Sequence, residues 1–259
     1  MTNSRLGLPL EYKKLPEFFD SHNIDNDTEL KNSVVEKLLK KHGTKTVFDL
    51  TCGTGSQVLF LAKRGYEVVG SDFSPELLKI ARKKAKEAKL NLKFIDGDMR
   101  NIQVGKFDAA ITMFNAVGHL TKVGFEKAIK NINKNLKDGG IYVFDIFNLE
   151  ALSDEVVSNF SMYKHKKFND TQLHSVQCST VDRKNGFLTS YDYHILQKKA
   201  LEPTRINNKF SLQIYSAKDL REMLARCGFK TLEQYDIDGS KFSEKKSISI
   251  LTVAQKIGN

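Results

Sequence analysis

The sequence has few cysteines and no long apolar run, and both absences narrow the class of protein. Its three cysteines, Cys52, Cys178 and Cys227, are far apart and form no Cys-x-x-Cys pair. Scattered thiols, odd in number, fit a reducing compartment and argue against a disulfide framework or a zinc cluster. No apolar stretch approaches the roughly 20 residues that span a bilayer, and the amino-terminal residues lack the apolar core of a signal peptide. We therefore expect a cytoplasmic protein without a membrane segment or a metal site.

The chain is basic but lacks the pattern of a nucleic-acid binder. Its 41 Lys and Arg against 31 Asp and Glu give a net charge of +10. The lysines lie beside acidic residues on predicted helix faces, and no arginine-rich stripe interleaved with aromatics is present. This distribution indicates that the lysines are solvated on the protein surface and do not form a patch that binds nucleic acid. The length of 259 residues and the apolar share of 40% suit one large domain, or a domain with an elaboration, as a monomer or homodimer.

One stretch, residues 46–72, carries the strongest pattern in the chain. Its sequence, TVFDLTCGTGSQVLFLAKRGYEVVGSD, predicts a buried strand, a glycine-rich turn, a helix and a second strand. Gly53 and Gly55 permit a sharp turn and let a ligand approach the backbone, and the helix that follows offers free N–H groups. Asp72, at the end of the second strand, stands where an acid holds ribose hydroxyls.

Asp49, an acid inside the first strand, indicates whether this turn binds a pyrophosphate or a cationic ligand. Dinucleotide-binding turns have a third glycine, but Val58 occupies that position, and Asp49 lies four residues before Gly53. A carboxylate there would repel a pyrophosphate and attract a sulfonium or ammonium group, which argues against a nicotinamide oxidoreductase. The segment from Asp49 to Gly55, DLTCGTG, together with Asp72, resembles motif I of class I methyltransferases that use S-adenosylmethionine.

This resemblance, with the order of predicted elements, implies the fold. Five β-α repeats up to residue 147 predict a parallel sheet with right-handed crossovers, and the family adds an antiparallel hairpin at the end. We expect an α/β fold: a Rossmann-like seven-stranded mixed sheet in the order 3-2-1-4-5-7-6, with helices on both faces. Residues 27–155 and 216–259 would form this S-adenosylmethionine-binding domain, and residues 1–26 would pack over the active site.

Residues 156–215 have a different pattern, in which polar and apolar residues alternate. Asn185-Gly186, between two such segments, is a strong hairpin signal. We expect an inserted antiparallel sheet of three or four strands that covers the substrate site, as in small-molecule methyltransferases. The candidates to line the site are Tyr191, Tyr193, Arg205 and Tyr215. The alternative is that they are only cross-strand partners, as residues of a half-buried sheet commonly are.

The loop FNAVGHL, residues 114–120, indicates which kind of methyltransferase the chain resembles. It has neither the Asn-Pro-Pro-Tyr of nucleobase amine methyltransferases nor the Pro-Cys of pyrimidine methyltransferases. It is similar to the loop of aminosugar N,N-dimethyltransferases and, more distantly, of glycine N-methyltransferase, and the GDMR sequence at 97–100 strengthens the likeness. His119 in this loop is a candidate to accept a proton or orient an amine, because an unperturbed imidazole has a pKa of about 6.5. A structural histidine is the alternative.

The resemblance also implies a set of site residues. Asp98, after the third strand, would accept the adenine amino group, because a carboxylate is a strong acceptor. His119 and Tyr12 would act at the methyl acceptor, with a packing role as the alternative for Tyr12. The predicted cofactor-binding residues are Asp49, Thr51, Cys52, Gly53, Thr54, Gly55, Asp72, Phe73, Asp98, Met99, Met113, Phe114 and Asn115.

We therefore expect an enzyme that moves a methyl group from S-adenosylmethionine to a small molecule and releases S-adenosylhomocysteine. An amine nitrogen is the predicted acceptor, and a hydroxyl is the first alternative. An RNA or protein methyltransferase and a non-catalytic S-adenosylmethionine-binding protein are the remaining alternatives.

Overall fold

A mixed sheet forms the centre of the molecule, in a computed structural model that describes residues 6–20, 26–199 and 201–258. The strand order is 3-2-1-4-5-11-10, with β11 antiparallel to both β5 and β10, which confirms the predicted fold. Its seven strands are β1 (Thr46–Asp49), β2 (Glu67–Asp72), β3 (Lys93–Asp96), β4 (Phe107–Thr112), β5 (Leu136–Phe147), β10 (Phe229–Tyr235) and β11 (Ser249–Lys256).

Helices bury both faces of this sheet. Val47 and Phe48, neighbours on β1, belong to different apolar clusters, because successive strand residues point to opposite faces. Burial on both sides explains why the central strands are apolar without alternation. Among the described residues, no helix is both long and apolar enough to cross a membrane. The helices are α1 (Asn26–Lys41), α2 (Ser56–Ala62) and α3 (Pro75–Glu87) on one face, α4 (Lys122–Asn135) and α6 (Ala217–Arg226) on the other, and the short α5 (Asp154–Ser158).

The second sheet, here named the insertion sheet, is separate and wholly antiparallel. Its four strands follow one another in the order 6-7-8-9. The predicted hairpin is present: Asn185 and Gly186 lie between β7 and β8, and Gly186 has a φ of +71° that a glycine adopts without strain. The division into domains at residues 27, 156 and 216 stays a prediction. The strands are β6 (Met162–Phe168), β7 (Thr171–Asp182), β8 (Phe187–Lys198) and β9 (Thr204–Gln213).

Residues 6–20, here named the amino-terminal segment, connect the two sheets. On one side the Leu8 carbonyl accepts a hydrogen bond from Asn208 Nδ2 of β9 (3.1 Å). On the other side the Tyr12 carbonyl accepts one from Ser74 Oγ, at the start of α3 (2.6 Å). Residues 1–5 and 21–25 of the predicted segment 1–26 lie outside the described residues. Apolar burial fixes the segment on the insertion sheet through a cluster of Leu10, Leu15, Phe18 and Leu173.

Helix α6 begins with a capping box formed by Ser216 and Asp219, whose contribution to stability can be tested. Ser216 Oγ accepts a hydrogen bond from Asp219 N (3.1 Å), and the Asp219 carboxylate accepts one from Ser216 N (3.4 Å). Ser216→Ala should lower the free energy of unfolding by about 1 kcal/mol, because the Asp219 N–H loses its acceptor. Urea denaturation of the full chain measures this. Ser216→Asp keeps an acceptor and should lose much less; an equal loss in both variants would contradict the assignment.

Candidate active site

A cavity of about 500 Å³ opens at the carboxyl ends of β1, β2, β3 and β4, and is here named the cofactor cavity. Open α/β sheets bind ligands at this edge. Two predicted cofactor-binding residues, Gly55 and Asn115, do not line the cavity. The predicted residues that do line it are Tyr12, Asp49, Thr51, Cys52, Gly53, Thr54, Asp72, Phe73, Asp98, Met99, Met113, Phe114 and His119.

The glycine-rich turn has two glycines with different tasks. Both adopt a left-handed backbone, with φ of +51° at Gly53 and +85° at Gly55. Gly53 lies in the cavity wall, where its N–H donates to Asp72 Oδ2 (2.8 Å). A Cβ on Gly55 would lie 2.8 Å from Leu59 Cδ1 and 3.2 Å from Ala81 Cβ. Gly55 therefore permits the close packing of α2 and α3 behind the turn. The sequence had instead predicted that Gly55 contacts the cofactor.

Two buried carboxylates, Asp49 and Asp72, lie at the ends of the paired strands β1 and β2. Asp72 accepts hydrogen bonds from Gly53 N (2.8 Å) and Ser74 N (2.9 Å), and Asp49 accepts one from Thr51 N (3.1 Å). Burial raises the pKa of Asp72 to about 6 and that of Asp49 to about 7, since desolvation disfavours a charged carboxylate. Both groups would be stabilised by a cationic ligand, which fits the ammonium and sulfonium of S-adenosylmethionine.

A third carboxylate, Asp98, already has a cationic partner. Arg100 Nε donates to both of its oxygens, at 2.9 and 3.0 Å, and Arg100 Nη2 forms an ion pair with it. Burial opposes ionisation, but the hydrogen bonds from Arg100 outweigh it and hold the pKa of Asp98 below its ordinary value. Asp98 is thus an ionised hydrogen-bond acceptor in the cavity wall, available to a neutral donor group.

The two predicted catalytic residues lie side by side. Tyr12 Oη is 3.5 Å from His119 Nε2, the ring centroids are 5.4 Å apart, and the Tyr12 ring stacks on Phe73 at 5.7 Å. Burial lowers the pKa of His119 to about 4 and raises that of Tyr12 well above its ordinary value. His119 is therefore a weaker base than its sequence context suggested, because the imidazole is surrounded by protein atoms. It is neutral at pH 7 and still accepts hydrogen bonds.

The loop that carries His119 begins with a strained turn. Phe114 and Asn115 both have positive φ values, +64° and +57°, which are rare for residues with side chains. The buried Asp145 carboxylate stabilises this turn by accepting hydrogen bonds from both backbone N–H groups, with the Asn115 N–H at 3.3 and 3.4 Å from its two oxygens. A 3-10 helix, Ala116–His119, follows directly. Sequence reasoning missed Asp145, although an acid in the apolar run IYVFDIF was a signal.

None of the four candidates from the insertion lines the cofactor cavity, so the alternative of a packing role applies to them. Tyr191 and Tyr193 are 45% and 39% exposed, and Arg205 is also exposed. Tyr215 is buried in the core, with its ring 5.7 Å from that of Phe125. Tyr191, Tyr193 and Arg205 are exposed because side chains alternate between the two faces of a strand. These three point outward, and their sequence neighbours point inward.

Comparison with known proteins identifies the large domain. Residues 47–140 match the family model described as a methyltransferase domain. This segment is a methyltransferase domain, and the strand order of the sheet around it is that of the class I methyltransferase fold. The chain is an enzyme, and its cofactor is S-adenosylmethionine, as the sequence predicts. Among the described residues of this methyltransferase, no group of three or more His, Cys, Asp or Glu side chains could hold a metal ion.

Individual relatives of this methyltransferase match to different extents. A putative methyltransferase of Bacillus subtilis is 26% identical over 206 residues, 77% of this chain and 81% of that protein. A glycine/sarcosine N-methyltransferase of Parasynechococcus marenigrum is 34% identical over 120 residues, which span 45% of this chain and only 43% of that relative. The crystal structure of a sugar N-methyltransferase from Streptoalloteichus has a TM-score of 0.78 at 16% identity, with 100% of this chain and 96% of that one covered, and shows the shared fold.

Binding of S-adenosylmethionine should strengthen as the pH rises through about 7, because burial raises the pKa of Asp49 to about 7. Below this pH the ligand-free carboxyl holds a proton, and a cationic cofactor favours the ionised form, so binding must release that proton. The dissociation constant for S-adenosylmethionine should therefore rise by up to about tenfold per pH unit below 7. Calorimetric titration in two buffers of different ionisation enthalpy measures both affinity and proton release.

The matched control for this titration is Asp49→Asn, which cannot ionise. It should bind the cofactor more weakly above pH 7 and show a flatter pH profile. A dissociation constant of the natural chain that stays flat from pH 5.5 to 8 would contradict the role of Asp49.

Proposed function

We propose that the chain transfers the methyl group of S-adenosylmethionine to a neutral amine of a small molecule. The Tyr12–His119 pair carries this proposal, because it lies in the wall of the cofactor cavity with Oη and Nε2 3.5 Å apart. Both side chains are neutral at pH 7, since burial lowers the pKa of His119 and raises that of Tyr12. A neutral pair orients an amine by hydrogen bonds without protonating it, and the attacking nitrogen must keep its lone pair.

Three carboxylates are proposed to hold the cofactor. Asp72 keeps lone pairs beyond those used by Gly53 N and Ser74 N, and these suit ribose hydroxyls. Asp49 would attract the cationic groups, and Asp98 would accept the adenine amine. Polar atoms of two other lining residues, Thr51 Oγ1 and Gln57 Oε1, are buried without hydrogen-bond partners among the described residues. Such unpaired groups concentrate at functional sites.

The remaining task of the protein is to position the acceptor and exclude water. When bound, the cofactor supplies an activated methyl group on a sulfonium. The amino-terminal segment contributes Leu6, Leu8, Tyr12 and Phe19 to the cavity wall, so a reacting pair would be shielded from solvent. His119 takes no proton from the acceptor at neutral pH, because its pKa of about 4 makes it a weak base.

The relatives support an amine acceptor. The glycine/sarcosine enzyme, 34% identical over its matched part, is named an N-methyltransferase, and so is the sugar-modifying enzyme that shares the fold. The match to the first relative spans only 45% of this chain, so the inference to a nitrogen acceptor rests on the site described above.

A labelled transfer assay tests the function. The full chain is incubated with S-adenosylmethionine carrying an isotopically labelled methyl group, a mixture of small amines and alcohols, and RNA. Mass spectrometry should find the label on the nitrogen of a small amine. Label on oxygen, on RNA or on the protein itself, or tight cofactor binding without any transfer, would contradict the proposal.

Asp72→Ala should weaken S-adenosylmethionine binding by about 1–3 kcal/mol, because charge-assisted hydrogen bonds to the cofactor are lost. Calorimetric titration measures the change. Asp154→Ala, on the exposed first turn of α5, is a control of equal charge change and should bind normally. An Asp72→Ala protein that remains folded and binds with an unchanged dissociation constant would show that the ribose assignment is wrong.

His119→Ala should lower the turnover number by roughly 10- to 1,000-fold while the cofactor affinity changes little, because the acceptor loses its orienting partner. The pH–rate profile of the natural chain should also lack a His119 transition between pH 6 and 7, given the pKa of about 4. Initial rates and cofactor titration on the same preparation separate the two effects. Unchanged turnover would assign the histidine a structural role only.

A further inference from the structure

The insertion sheet has one covered face and one exposed face. Two apolar clusters cover the first: Leu173 and Leu196 pack with the amino-terminal segment, and Leu188 and Leu212 pack with the short helix α5. Side chains alternate between the two faces of a strand. The strand residues next to these leucines therefore form the opposite face, here named the outer face, which belongs to no apolar cluster among the described residues.

The outer face exposes three tyrosine rings. Tyr163 of β6 is 68% exposed, and Tyr191 and Tyr193 of β8 are also exposed. The strand register places Tyr163, Val176 and Tyr193 in one row across the sheet, and Tyr191 is two residues from Tyr193 on the same face. None of these rings belongs to an apolar cluster or lines the cofactor cavity. A contiguous exposed patch of this kind marks an interaction site.

A pair of histidine rings extends this patch. His165 and His174 lie opposite each other on β6 and β7, and their rings stack with centroids 4.2 Å apart and planes 10° apart. Tyr163 Oη lies 3.0 Å from His174 Nδ1. Aromatic rings thus occupy neighbouring positions on β6, β7 and β8, and they offer a surface on which a flat ligand can stack.

The charged side chains among these rings are basic. Lys209 Nζ lies 5.2 Å from the centroid of the Tyr191 ring, which is a cation–π distance. The four strands contain two acids: Asp192 is buried on the covered face, and Asp182 lies at the end of β7. The exposed basic residues of the outer face are Lys167, Arg205 and Lys209.

The amino-acid sequence does not show this surface, because its parts lie on different strands. Along the chain no stretch alternates basic and aromatic residues, and the sequence therefore predicted no patch for nucleic acid. The antiparallel pairing of β6, β7, β8 and β9 brings the tyrosines and the basic residues to one face. The expectation thus applies to each stretch of sequence and not to the assembled sheet.

The chemistry of the outer face favours a single-stranded nucleic acid. Lys and Arg attract phosphates, and unpaired bases stack on aromatic side chains; four-stranded sheets with exposed aromatics bind RNA in this way. A duplex buries its base faces, and an acidic peptide would use the cations but not the rings. A second copy of the outer face would bring basic side chains against basic side chains, which disfavours self-association.

We propose that the outer face binds single-stranded RNA, whose bases stack on the tyrosine rings and whose phosphates contact Lys167, Arg205 and Lys209. RNA is favoured over DNA because a polar side chain lies next to the stacking surface. Asn207 is opposite Tyr193 in the register, and its amide can hydrogen-bond a 2′-hydroxyl, which DNA lacks.

The outer face is turned away from the active site. Phe210, on the covered face, has its ring 6.2 Å from that of His119. RNA on the outer face is therefore a ligand and not the methyl acceptor. The inference adds a partner to the proposed function and does not depend on it.

Binding of labelled oligonucleotides to the full chain tests this inference. Fluorescence anisotropy measures the affinity for an oligouridylate of about 12 nucleotides, a length within the usual range of single-strand sites, at several salt concentrations. The logarithm of the affinity should fall linearly with the logarithm of the salt concentration, with a slope of about −0.7 for each phosphate contacted. The RNA should bind more tightly than an oligothymidylate or an RNA duplex of the same length. Polyglutamate and phosphatidylserine vesicles should not displace it at an equal concentration of negative charge.

Variants separate stacking from charge. Tyr193→Ala should weaken RNA binding about fivefold or more without changing the salt slope, and Tyr193→Phe, which keeps the ring, should bind normally. Arg205→Gln should reduce the size of the salt slope by about 0.7. Lys83→Gln, on the exposed side of α3, is the control for charge and should keep the slope. Affinity for S-adenosylhomocysteine should stay within about twofold in every variant, which shows that the fold is intact.

The inference would be overturned if the oligouridylate did not bind at low salt, or if DNA or the duplex bound at least as tightly. Displacement by polyglutamate or vesicles would assign the outer face to an acidic protein or a membrane instead. Equal salt slopes in Arg205→Gln and Lys83→Gln, or full affinity in Tyr193→Ala, would show that RNA binds through the general positive charge of the chain. Methyl transfer is not used in these measurements, so the proposed reaction can fail or succeed independently of them.

Discussion

The Asp72 carboxylate is the group on which the cofactor half of the structure depends. Through one oxygen it accepts the Gly53 N–H of the glycine-rich turn, and through the other the Ser74 N–H at the start of α3. Ser74 in turn donates to the Tyr12 carbonyl, which fixes the amino-terminal segment over the cavity. A single buried acid thus joins the turn, the helix start and the covering segment. Burial raises the pKa of this carboxyl, and the backbone N–H donors oppose that shift because they stabilise the ionised form.

The insertion sheet complements this arrangement from the other side of the site. Its strands bury polar side chains toward the amino-terminal segment, and the segment fills the space between with Leu10, Leu15 and Phe18. The proposed cofactor residues thus lie at the edge of the parallel sheet, and polar side chains of the insertion sheet lie beside Tyr12 and His119.

Sequence reasoning reached the fold and the cofactor half because both depend on local patterns. Asp49, Gly53 and Asp72 stand at strand ends and turns that a buried strand followed by glycines predicts, and the structure places all three in one cavity. Which side chains of the insertion sheet face Tyr12 and His119 depends on strand register, which the sequence does not specify. Tyr191 and Asp192 are neighbours, and only the pairing of β7, β8 and β9 decides that the acid faces inward.

Burial is the second property that the sequence could not supply. His119 was predicted to be near the reacting group, and it is beside Tyr12, but its lowered pKa reflects the protein atoms around the ring. Asp145 was missed for a related reason. Its task is to hold the backbone of Phe114 and Asn115 in a rare conformation, and such strain is visible only in coordinates.

The adjacency of Glu11 and Tyr12 has a thermodynamic consequence. The two residues share a peptide unit, yet Glu11 lines only a smaller cavity of about 190 Å³ beside the insertion sheet, and Tyr12 lines both that cavity and the cofactor cavity. A shift of that unit when one cavity fills would also change the wall of the other, and binding in the two cavities would then be linked by a coupling free energy. Reciprocity then requires that the factor by which the acceptor changes the affinity for the methyl donor equals the factor by which the donor changes the affinity for the acceptor.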